Sequence, residues 1–146
     1  MTTLLVRTLS FGEVEVQESS ILAFPEGIPG FPDHRRFVVL SPEEIKPFQY
    51  LQALDEPPLA LLVVNPFLVS PGYEFRLTDA DMQNIGSQDT QDLTVYAVVT
   101  IPQDPKETTV NLSAPIVINE KKRCGRQFIL HDSGYAVKHP LLQPLG

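Results

Sequence analysis

Apolar and polar residues alternate along this chain in short runs, and proline or glycine closes each run before it lengthens. Leu4 and Val6 share a face, and Val14 and Val16 do so against Glu13, Glu15 and Gln17. That period of two predicts half-buried strands, with a bend or bulge at Phe11-Gly12 between them. An apolar stretch over 19–24 stops at Pro25. Residues 25–33 contain Pro25, Pro29, Pro32, Gly27 and Gly30, which exclude both helix and central strand. Residues 37–40 resume a strand. Ser41-Pro42-Glu43-Glu44 then has the form of a capping box with proline at the first helical position, limited by Pro47 to about one turn. Alternation returns over 48–52. The run Leu-Ala-Leu-Leu-Val-Val at 59–64 is apolar on both faces and predicts a central strand covered on both sides, ended by Asn65-Pro66.

One helix is predicted, over 79–85. Thr78 or Asp79 can cap it, Asp81 suits its positive end, and Gly86 supplies the stop. Leu93, Val95, Ala97, Val99 and Ile101 then form the longest alternating run. Short strands follow over 110–112 and 116–118, a charged hairpin tip over 120–125, a strand over 127–130, and a Pro-marked end. Many short strands with regular turn signals and one short helix predict an all-β fold, a small antiparallel β-barrel or sandwich. No linker or repeat interrupts it, so residues 1–146 are expected to form one domain.

Composition narrows the class. A chain of 146 residues, 42% hydrophobic and 20% charged, has a globular balance and length enough to bury roughly two-thirds of its unfolded surface. Its 14 prolines are spaced as turn punctuation. The net charge of −7 argues against nucleic acid as the main partner and suits a basic protein. Cys124 is the sole cysteine, so no internal disulfide can form. The N-terminus lacks the layout of a signal peptide, and the longest apolar run is too short to cross a bilayer. A cytoplasmic protein without a membrane role is expected.

Candidate chemistry is sparse. His34, His131 and His139 form no close ligand pair, and one cysteine cannot complete a thiolate site, so no metal or other cofactor is expected. Asp79 and Asp81 resemble the start of a calcium loop, but Gln83 and Asn84 break it and capping is simpler. Lys121, Lys122, Arg123 and Arg126 surround Cys124 and can lower its pKa, yet no base can be placed, and a solvated basic turn is the plainer reading. The same cations could touch RNA phosphates, without neighbouring aromatics to stack bases. No enzyme activity is expected. The feature that stands out is the 25–33 loop. It is either a rigid corner that tucks Ile28 and Phe31 into the core, or a stiff platform that presents them to a partner at low ordering cost.

Several words of the sequence, in order, resemble the FliW family of bacterial flagellar assembly factors. They are Phe-Pro-Glu-Gly-Ile-Pro-Gly-Phe at 24–31, Leu-Gln-Ala-Leu at 51–54 with its acidic-Pro tail, and Val-Val-Asn-Pro at 63–66. Asn-Leu-Ser-Ala-Pro-Ile-Val-Ile-Asn at 111–119 and the Gln127, Leu130, Tyr135, His139-Pro140 ending complete the set, which spans nearly the whole chain. Ala53 stands where the family leads one to expect serine. The resemblance implies a compact β-barrel-like domain that binds CsrA, a small dimeric RNA-binding repressor, and so relieves repression of flagellin synthesis. It also implies flagellin as an alternative partner, whose secretion frees the factor for CsrA. The chain alone is expected to be monomeric and to bind no nucleic acid directly. Loop positions within the matched words are the candidate protein-binding residues: Glu26, Gly27, Ile28, Phe31, Asp33, Asn65 and Asn111. A small-molecule-binding barrel and an RNA-binding barrel are the alternatives. The first requires an interior that side chains leave open, the second a basic, aromatic face.

Overall fold

A computed structural model describes residues 2–9, 11–28, 30–87, 90–131 and 133–141. The alternating N-terminal residues form a two-stranded ribbon, β1 (Thr3–Thr8) against β2 (Gly12–Gln17), with Leu4 opposite Val16 and Val6 opposite Val14. The Thr8 hydroxyl fastens its tip, donating to the Gly12 carbonyl and accepting from the Phe11 N–H, each at 2.8 Å. Phe11 meets Tyr50 edge-on, ring centres 5.6 Å apart, which docks the ribbon on the body of the protein.

The body is a closed circuit of strands. β3 (Leu22–Ala23), β4 (Arg36–Leu40), β5 (Gln49–Ala53), β6 (Ala60–Val64) and β7 (Leu93–Thr100) pair in sequence order. β9 (Ile116–Asn119) pairs with β7 on one side and with β10 (Cys124–Gln127) on the other. A single parallel pair, Cys124 with Ala23, joins β10 to β3 and closes the ring. β8 (Thr109–Val110) and β11 (His139–Pro140) branch from the second half of β7. The expected all-β barrel is therefore found.

The two faces of the ring pack differently, which explains the doubly apolar run at 59–64. Val63 and Leu61 turn inward with Leu22, Phe24, Phe37, Leu51 and Ile118. Val64 and Leu62 turn outward, beneath a layer that includes Tyr73, Phe75 and Tyr135. β9 divides likewise, with Ile116 and Ile118 inward and Val117 outward against Ile85 and Phe128, so its whole length is buried. Each large apolar side chain so buried contributes roughly 1.5–3 kcal/mol.

Four local expectations are corrected. The described residues contain two short helices, α1 (Pro66–Val69) and α2 (Asp79–Asn84), where one was expected; Pro66 initiates the extra turn beneath the Asn65 cap. The 41–44 capping box does not form. Ser41 Oγ accepts from Gln49 Nε2 at 2.7 Å, and a 3-10 turn over Glu43–Ile45 replaces the α-turn. Residue 52 does not alternate outward: the buried Gln52 amide donates to the carbonyls of Ala53, Pro57 and Leu59 and seals the β5–β6 turn. The strand placed at 127–130 lies earlier, at Cys124–Gln127. α2 matches its signals, with a reciprocal Thr78–Asp81 capping box and Gly86 in the left-handed region at φ +67°.

Candidate protein-interaction surface

The 25–33 loop joins β3 to β4 as a tight corner. Gly27 has φ +66°, and a Cβ there would lie 2.6 Å from the Phe31 carbonyl oxygen, so only glycine fits. Ile28 and Phe31 bridge each other, the Phe31 N–H donating to the Ile28 carbonyl at 2.6 Å. Pro29, counted among the loop's rigid residues, lies outside the described residues. Ile28 is only 4% exposed and packs in the barrel interior with Phe24 and Phe37. Ile28 thus follows the corner alternative and is not presented to solvent. Phe31 is 43% exposed, its ring tilted towards His34, which sits 3.2 Å from Asp55. Glu26 and Asp33 are exposed, and Glu26 pairs with Arg126 at 2.7 Å.

Of the seven candidate residues, the fold gathers Glu26, Gly27, Ile28, Phe31 and Asp33 into this one corner. Asn65 and Asn111 lie elsewhere, at chain segments flanking β7, and both shape backbone. Asn65 Oδ1 accepts from the Phe67 N–H at 2.9 Å, and Asn111 Oδ1 accepts from the N–H groups of Ser113 and Ala114.

The basic tip is largely neutralised. Lys121 pairs with Asp92, Arg123 with Glu120 and Arg126 with Glu26, so three of its four cations already face carboxylates. The neighbouring cations, which could have lowered the Cys124 pKa, do not prevail. The thiol donates to the Ile85 carbonyl at 3.3 Å, and burial pushes its pKa up despite the lowering influence of Lys122. Among the described residues, no three His, Cys, Asp or Glu side chains are placed to hold a metal ion. The barrel interior is filled by Phe24, Phe37, Leu51 and Ile118, which removes the condition for the small-molecule alternative.

The sequence reading passed over residues 73–77. Tyr73, Phe75 and Leu77 turn inward while Glu74 and Arg76 face solvent, the alternation of a strand. The Tyr73 hydroxyl donates to the Leu112 carbonyl at 2.8 Å, and burial followed by the nearby Tyr135 holds its pKa above the ordinary tyrosine range. The period-two signal Tyr-Glu-Phe-Arg-Leu was available at 73–77.

A barrel filled by its own side chains defines a class: a small all-β protein with a packed interior. The FliW protein family model matches residues 5–141. The flagellar assembly factor FliW of Alkaliphilus metalliredigens is 38% identical over 143 residues, covering 97% of this chain and 88% of that protein. The factor of the same name from Caldicellulosiruptor bescii is 41% identical over 140 residues, covering 96% and 91%. A crystal structure of the flagellar assembly factor FliW superposes with a TM-score of 0.90 at 36% identity, covering 98% of this chain and all of that one. This chain belongs to the FliW family, a family of flagellar assembly factors and not of enzymes. Among the described residues no helix is long and apolar enough to cross a membrane.

Proposed function

We propose that this protein binds the translational repressor CsrA in the cytoplasm and relieves repression of flagellin synthesis, with flagellin as its alternative partner. The motif words shared with the family support this reading. The observation that carries it on the structure is the 25–33 corner, where Gly27 fixes the turn that holds Phe31 half exposed, with Asp33 exposed two residues on. A half-exposed apolar side chain on a stiff turn of a chain with net charge −7 suits a basic, RNA-binding partner, since little ordering cost opposes docking.

The test is calorimetry of the purified protein with CsrA of the same bacterium, followed by translation of the flagellin message. Wild type is expected to bind and to restore translation. Phe31→Asp is expected to weaken binding by about 2 kcal/mol or more if Phe31 is an anchor. An absence of heat and of co-elution at tens of micromolar would count decisively against the assignment. Unchanged affinity of Phe31→Asp would move the contact away from this corner.

A further inference from the structure

Residues 73–77 are a strand in everything but pairing. Their inward face is held by Tyr73, Phe75 and Leu77, yet they join neither sheet. The Glu74 N–H donates to the Tyr135 hydroxyl at 2.9 Å, and the Thr78 N–H to Asp81 Oδ2 at 3.1 Å. Tyr135 and Asp81 both line a cleft of about 820 Å³, so this edge of the segment faces that cleft. Amides two apart in an extended chain point the same way. The Arg76 N–H and C=O therefore face the cleft as well, and among the described residues nothing bonds them. Across the cleft runs the continuation of β10. The N–H groups of Phe128 and Leu130 donate to the Pro115 and Ser113 carbonyls, which turns the Ile129 N–H the other way, also without a partner among the described residues. Ile129 is 60% exposed.

Arg76 and Ile129, whose backbone N–H groups have no partner among the described residues, both line the cleft on extended chain, and an unpaired strand edge is a template for another chain. The Arg76 guanidinium adds a charge that makes no ion pair or hydrogen bond among the described residues, in contrast to Arg123 and Arg126. We propose that this cleft takes an extended segment of a protein partner, paired through backbone to Arg76 and Ile129 and turning a carboxylate towards the Arg76 side chain. The inference rests on the function proposed above only in that the occupant is a protein, and it places a second contact surface apart from the 25–33 corner. Glu74 calls for a cation two residues from that carboxylate, since opposite charges stabilise directly across a ladder.

Residue-resolved amide exchange of the full chain by NMR tests this with three titrants: flagellin, CsrA, and the synthetic peptide Thr-Val-Glu-Val-Lys-Val-Thr. At least one titrant is expected to slow exchange at Arg76 and Ile129 by roughly tenfold or more. Arg76→Pro deletes one donor on an exposed, extended residue and is expected to lower that titrant's affinity roughly tenfold, as when a ladder bond is lost and its acceptor stranded. Arg76→Ala keeps the donor and is expected to cost less, roughly threefold. If all three titrants leave both amides at their free rates, the proposal is overturned. It is overturned too if Arg76→Pro melts and binds as wild type, or if protection tracks the protein's own concentration with dimer in sedimentation, since the occupant is then a second copy. The peptide protecting the cleft while CsrA and flagellin fail to bind would remove the proposed function alone. CsrA or flagellin binding while none of the three titrants protects Arg76 and Ile129 would remove the cleft alone.

Discussion

At the scale of single residues, the corner word Glu-Gly-Ile-Pro-Gly-Phe combines three different duties. Gly27 carries the backbone through a left-handed turn against the Phe31 carbonyl, Ile28 fills the barrel, and Phe31 stays half in solvent. Gly27→Ala is expected to lose roughly 3 kcal/mol, from the positive φ and the forced Cβ contact together, seen as a fall of about 10 °C in melting temperature. Ile28→Asp is expected to cost at least as much stability, because a carboxylate would enter the packed interior without a partner. Phe31→Asp, at an exposed ring, should melt within about 0.5 kcal/mol of wild type. If Ile28→Asp instead melted normally, the packing of Ile28 beside Phe24 and Phe37 would be wrong. The word marked this corner in the sequence, but which side chain turned inward was not legible. Prolines and glycines fix a bend without fixing which face meets the core.

At the scale of elements, period-two alternation located most strands, and it failed where tertiary partners reassign a residue. Gln52 sits at an outward position by pattern, yet its amide is drawn in to donate to the Ala53, Pro57 and Leu59 carbonyls at and around the following turn. Ser41 gave its hydroxyl to Gln49 and left its helix uncapped. One titratable anchor of the unpaired segment at 73–77 is the Tyr73 hydroxyl bonded to the Leu112 carbonyl. Its folded pKa is raised by burial, so the folded state holds that proton more tightly than the unfolded chain does. Stability from this group is therefore complete below the unfolded tyrosine pKa, near 10, and declines as pH rises beyond it. Urea unfolding at pH 8 and pH 11 should show Tyr73→Phe less stable by about 1 kcal/mol at the lower pH and a smaller alkaline loss than wild type. An equal alkaline loss in both proteins would show that Tyr73 does not titrate with folding. Thr78→Ala should cost about 1 kcal/mol by removing the α2 cap.

At the scale of the whole molecule, strand count and turn spacing announced a barrel or sandwich, and the closure that decides between them was not legible. The ring is completed by a parallel pair between Cys124 and Ala23, two residues no local pattern connects. Closure leaves an interior crowded with aromatic and branched side chains, so both proposed contact surfaces lie on the outside, at the 25–33 corner and in the cleft beside Arg76. For a molecule of net charge −7, association with a basic CsrA should be steered, so added salt is expected to slow binding more than it speeds release. Stopped-flow rates across a salt series would read this directly. If flagellin and CsrA are alternative partners, each must weaken the other by the same factor, because coupling between two binding equilibria is reciprocal. Titrating CsrA into the protein at several fixed flagellin concentrations should raise the CsrA Kd in proportion to flagellin once flagellin exceeds its own Kd. The converse titration should return the same factor. A CsrA Kd that stays constant while flagellin saturates the protein would mean separate, uncoupled surfaces. The switch would then have to lie in CsrA or in the message, not in this barrel.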